Sequence, residues 1–155
     1  MSIDYLHSFS SVEQQRLLSQ SEFLAPWIHS QICLGESERV LEIGCGVGAQ
    51  LRLLAQQPCA RLVGVDFSSQ QLEKAQTVLS EAISLGVVEL VQADATALPF
   101  SDSSFDQILL FFVLEHVHSP SQVLSESFRL LEQHGRLTLT EVNNHSLQVW
   151  PSCPS

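Results

Sequence analysis

Apolar residues recur at near-helical spacing near the start of the chain, then give way from Arg39 onward to short apolar runs alternating with amphipathic stretches. Leu17, Leu18, Phe23, Leu24, Trp27, Ile28 and Ile32 follow the capping pair Ser11 and Gln14 and predict an N-terminal helix. The runs at 40–43, 62–65, 87–91, 107–111 and 137–142 read as strands, and their apolar character suits parallel strands covered on both faces. Ser68 with Gln71 predicts the start of a helix that places Leu72, Ala75, Leu79 and Ala82 on one face and ends near Gly86. Ser119-Pro120 opens another, with Val123, Leu124, Phe128 and Leu131 as its apolar face and Gly135 as its terminator. This alternation defines an α/β class, a parallel sheet with helices on its faces. The expected organisation is an N-terminal helical lid over 1–38, a core over 39–142, and an irregular tail over 143–155 that contains Pro151 and Pro154.

Composition narrows the partners more than the fold. A chain of 155 residues, 45% of them hydrophobic, matches one domain with a core of its own. No apolar run approaches the ~20 residues of a membrane span, and Asp4, Glu13 and Glu22 stand where a secretory signal is apolar. A cytoplasmic protein without a membrane partner is expected. The net charge of -10, with seven Lys and Arg, opposes nucleic acid, whose binding rests on phosphate neutralisation, and favours a small-molecule or protein substrate. Cys33, Cys45, Cys59 and Cys153 show no metal-ligand or disulfide spacing and are expected as free thiols.

The densest chemical signal is Glu42-Ile43-Gly44-Cys45-Gly46-Val47-Gly48. A strand running into closely spaced glycines lets backbone approach a ligand where a Cβ would obstruct it. The spacing alone leaves the ligand open, because Gly44 to Ala49 also fits the dinucleotide fingerprint, with Asp66 near the expected acidic position.

The run Val40-Leu41-Glu42-Ile43-Gly44-Cys45-Gly46-Val47-Gly48 resembles motif I of class I S-adenosylmethionine (SAM)-dependent methyltransferases. Val65-Asp66-Phe67-Ser68 is similar to that family's acidic second-strand end. Ala93-Asp94-Ala95 with Leu98-Pro99-Phe100 is similar to its third-strand loop, and Phe105-Asp106 leading to Val113-Leu114-Glu115-His116-Val117 to its fourth-strand motif. The four stand in the family's order, and their forms resemble the small-molecule branch called type 11. The resemblance implies a Rossmann-like three-layer fold with strand order 3-2-1-4-5, SAM as cofactor, a small-molecule methyl acceptor and no metal.

Residue by residue, it implies that Gly44, Gly46 and Gly48 accommodate the methionine and ribose, with the Cys45 backbone nearby and Glu42 beneath the loop. Asp66 would accept from the ribose hydroxyls, so that Asp66→Ala costs cofactor binding and not the fold. Phe67 and the Asp94-Ala95 loop would bracket the adenine, although core packing is an equal reading of Phe67. The Phe111 carbonyl would face the methionine amino group. For a general base the candidates are His116, Glu115 and Glu141, each with an equally serviceable structural role. Tyr5 and His7 would belong to a lid or merely dock it.

A complete member of the family continues through two further strands, for which this sequence has no room. Strand five is then an open edge, covered by the tail or paired with a second copy in a homodimer. Three functions stay open: a methyltransferase for a small metabolite, an impaired or truncated SAM-binding module acting through a partner, and an NAD-linked oxidoreductase.

Overall fold

The computed structural model describes residues 11–57 and 61–141. Five strands form one all-parallel sheet: β1 (Arg39–Ile43), β2 (Arg61–Asp66), β3 (Val88–Gln92), β4 (Phe105–Phe111) and β5 (Leu131–Thr140). Their order is β3-β2-β1-β4-β5, as the resemblance implied. The order reverses between β1 and β4, so a crevice opens there at the strands' C-terminal ends, the usual ligand position in such sheets.

Side chains alternate across the sheet and divide the core in two. Val40, Leu62, Leu109 and Phe111 pack with Leu51, Leu54, Ala75 and Leu79 from the helices α2 (Ala49–Leu54) and α3 (Ser69–Val78). Leu41, Ile43, Val63, Val65, Ile108 and Leu110 pack on the opposite face with Val123 and Leu130 of α5 (Pro120–Leu130). Because strand side chains alternate, Glu42 points the same way as Val40, into the layer beneath α2. That direction explains why an acidic residue is only 2% exposed.

Three helical expectations change. In α1 (Ser11–Ile28), Phe23 and Trp27 face outward and pack on each other with ring centroids 5.4 Å apart, while Ile28 and the following Ile32 join the core. Ser68 caps α3 through its side chain, as read from sequence, but the helix breaks at Leu79 and resumes as α4 (Ser80–Ser84). Leu79 leaves helical geometry at φ -104° and ψ 12° while keeping its side chain buried in the core. Finally, α5 ends at Leu130 rather than at Gly135, and Leu131 pairs at once with Phe105. Gly135 serves the strand instead: a Cβ there would lie 3.0 Å from the Asp106 carbonyl, where the β4–β5 register shifts. Phe128, expected on the buried face of α5, is 65% exposed, and Ser127 occupies the buried position.

Candidate functional site

The glycine turn joins β1 to α2, with Gly44, Gly46 and Gly48 all at positive φ. Its backbone donors are already engaged. Gly44 N and Cys45 N both donate to the Val65 carbonyl, at 2.8 and 2.9 Å, Gly46 N donates to Asp66 Oδ2 at 2.8 Å, and Gly48 N donates to the Cys45 carbonyl at 2.9 Å. The three glycines answer different demands. A Cβ on Gly44 would stand 2.7 Å from Val113, and one on Gly48 would stand 2.6 Å from Leu79, whereas a Cβ on Gly46 would meet nothing within 4 Å. Gly46 therefore borders open space, a cradle that a side chain would fill.

Two acids underlie this turn. Glu42 is wholly buried, and its carboxyl is pushed up to about 8, first by loss of solvation and then by Asp66, against a backbone hydrogen bond from Leu51. Its Oε2 has no hydrogen-bond partner. Burial likewise raises the Asp66 carboxyl, opposed by backbone hydrogen bonds from Ser68, Gly46 and Phe67. Oδ1 of Asp66 accepts from Ser68 N at 2.9 Å, so the carboxylate ties the glycine turn to the start of α3. Among the described residues neither acid takes part in an ion pair. The Cys45 thiol is buried between them and is held protonated by burial and by both carboxylates.

Beyond Asp66 the surface opens. Phe67 is 75% exposed, which sets aside core packing as its role, and its carbonyl accepts from Gln92 Nε2 at the end of β3. Asp94 is exposed, with Oδ1 accepting from Thr96 N and Oγ1 at 2.8 and 2.7 Å, and these bonds hold its carboxyl below the ordinary value. Ala95 packs against the core on the α5 side. These residues together edge the C-terminal ends of β2 and β3.

On the other flank, β4 ends at Phe111, and Phe112 follows in the left-handed region at φ 58°. Strain of this kind in a residue with a Cβ is often held at functional sites. The chain then enters a 3-10 turn, Leu114–His116. Glu141 is turned onto this turn's backbone, where Oε1 accepts from Val113 N at 2.9 Å and Leu114 N at 2.7 Å and Oε2 is buried without a partner. Glu115 and His116 are exposed at the rim, His116 Nε2 lying 3.5 Å from Glu115 Oε1. Tyr5 and His7 lie outside the described residues.

The structure adds a pair that sequence reasoning missed. His29 follows α1 in a short 3-10 turn, and its Nε2 lies 2.7 Å from Oε1 of Gln50 in the first turn of α2. The His29 ring also packs on Phe111, with centroids 6.0 Å apart. One signal was available: His29 continues the helical face of Leu18 and Ala25 toward Ile32, a polar residue on an otherwise apolar or small stripe.

A groove of about 570 Å³ lined by Gln76, Ile83 and Leu90 among others lies along the outer edge of β3, away from the glycine turn. Among the described residues, no helix is long and apolar enough to cross a membrane, and no cluster of three His, Cys, Asp or Glu could hold a metal ion.

The class defined by this sheet order and glycine turn is the Rossmann-like α/β domain. Within it, the sequence model of a family described as a methyltransferase domain matches residues 41–139, and the chain belongs to that family of class I SAM-dependent methyltransferases. Methyltransferase GfsG of Streptomyces halstedii is 32% identical over 127 residues, covering 81% of this chain and 45% of that protein. Demethylmenaquinone methyltransferase of Listeria monocytogenes serotype 4a is 33% identical over 113 residues, 72% of this chain and 47% of its own. The crystal structure of the PH0226 protein from Pyrococcus horikoshii OT3 superposes with a TM-score of 0.71 at 26% identity, covering 87% of this chain and 62% of that one. The chain thus spans less than half the length of either enzyme.

Proposed function

We propose that this chain binds SAM across the glycine turn and forms the cofactor half of an enzyme that methylates a small molecule. One observation carries the reading: the turn uses its N–H groups at Gly44, Cys45, Gly46 and Gly48 internally and offers a ligand two buried acids without a cationic partner. A pyrophosphate needs free donors and would face buried negative charge, whereas a cation would be stabilised by both acids. The geometry favours a sulfonium cofactor over a dinucleotide.

The residues fit that group. Gly46 leaves the cradle open, Glu42 presents an unpartnered carboxylate oxygen beneath it, and Asp66 retains acceptor capacity for ribose hydroxyls. Phe67 offers an exposed ring for an adenine face, with the second oxygen of Asp94 available to the exocyclic amine. When bound, SAM supplies a methyl group on a positively charged sulfur with a neutral leaving group. The protein's share is then mainly orientation, which depends on the rigid Val65–turn–Asp66 network. His116 and Glu115 stand at the rim, where a proton from an acceptor could be taken, while Glu141 braces the turn beneath them.

Calorimetric titration with SAM, S-adenosylhomocysteine and NAD, followed by a screen of small acceptors with methyl-labelled SAM, tests the proposal. Binding of the first two without NAD is expected. Binding of NAD alone, or of none, would overturn it. The outward edge of β5 and the exposed Leu139 beside it favour a second reading, a cofactor domain that works paired with another copy.

A further inference from the structure

Resting on the SAM reading, we propose that His29 and Gln50 act as one unit that holds the amino-acid end of the cofactor. The sheet order sets the direction. Asp66 ends β2 on one side of β1, and Phe111 ends β4 on the other. A ligand whose sugar lies at Asp66 and whose base lies toward Phe67 and β3 must send its remaining arm across the glycine turn into the β1–β4 crevice. That crevice is where the His29 ring rests on Phe111.

The chemistry of the pair matches an α-amino acid. Oε1 of Gln50 can only accept, so Nε2 of His29 carries the hydrogen of their 2.7 Å bond and Nδ1 is left with a lone pair. This bond fixes the amide of Gln50, a side chain 8% exposed, with its NH2 group free of any partner among the described residues. A zwitterion needs one acceptor for its ammonium and donors for its carboxylate, and Nδ1 and the Gln50 amide supply them side by side. Burial lowers the His29 pKa, which keeps Nδ1 unprotonated at neutral pH. Gln50 also adjoins Leu51, whose backbone bonds Glu42, so the pair is anchored to the floor of the same site.

The test compares SAM with 5′-methylthioadenosine, which keeps the nucleoside and sulfur but lacks the amino-acid arm. Calorimetry on the whole chain should find His29→Ala and Gln50→Ala binding SAM about tenfold or more weakly, as expected for lost hydrogen bonds to charged groups. Their affinity for 5′-methylthioadenosine should stay within about twofold of wild type, since the nucleoside contacts are untouched. Gln50→Glu supplies a variant that still accepts from His29 and repels a ligand carboxylate, so it should lose SAM selectively even where an alanine variant fails to fold. Unchanged SAM affinity in folded variants, or parallel loss of both ligands, would overturn the assignment and leave SAM binding itself standing. Failure of the wild type to bind SAM would remove both.

Discussion

Gly44, Gly46 and Gly48 share a left-handed backbone but not a surrounding, and their substitutions should separate stability from binding. Gly46→Ala adds a methyl group to open space and is expected to cost about 1 kcal/mol in folding for its backbone alone, yet to weaken SAM binding strongly by filling the cradle. Gly44→Ala adds a collision with Val113 to the same strain and should destabilise the fold further. Urea unfolding and calorimetry on the two variants check this ordering. Glu42 brings a pH dependence of defined sign. Its folded pKa of about 8 lies above its ordinary 4.5, so the stability it contributes is complete below the lower value and lost as pH rises through the higher. Relative to Glu42→Gln, the wild type should lose up to about 1.4 kcal/mol per pH unit across that window. Urea titrations at several pH values would show it, and parallel profiles would refute it.

At the scale of elements, Asp66 is a latch as well as a candidate ligand. Its two oxygens join the glycine turn to the start of α3, so the expectation that Asp66→Ala spares the fold needs amending. The alanine variant strands two backbone donors and should lose about 1–3 kcal/mol, while Asp66→Asn, which keeps one acceptor, should lose less. Both should bind SAM poorly. Thermal melts with parallel titrations separate the two losses, and equal melting of both variants would argue against the latch. The element boundaries misread from sequence share one cause. Leu79 and Leu131 leave helical geometry where their side chains gain core contacts, and Gly135 answers the nearness of β4 rather than a helix end.

For the molecule as a whole, the balance of covered and uncovered edges matters most. Strand β5 carries Leu139, 44% exposed, beside a row of outward backbone groups. Sedimentation velocity of the wild type should reveal a concentration-dependent dimer that Leu139→Lys disrupts. A monomer at every concentration would remove the pairing along β5. SAM should also raise the melting temperature of the chain, by mass action on the folded state alone, and 5′-methylthioadenosine should do so less.

By itself, the sequence determined the α/β class, the strand segments and the glycine turn with its acidic neighbours, because these depend on local periodicity and on residues within one short loop. The motif order also disclosed the strand order, since a parallel sheet of this family's type arranges its strands by sequence position. Tertiary structure alone decided that the turn's donors are already engaged, that Glu42 has an oxygen without a partner, and that Glu141 braces the turn after β4. It alone brought His29 to Gln50 across 21 residues of sequence. Such contacts join polar groups from elements far apart in the chain, and no spacing rule encodes them. They exist only once the two core faces have packed and set the distances between the strand ends.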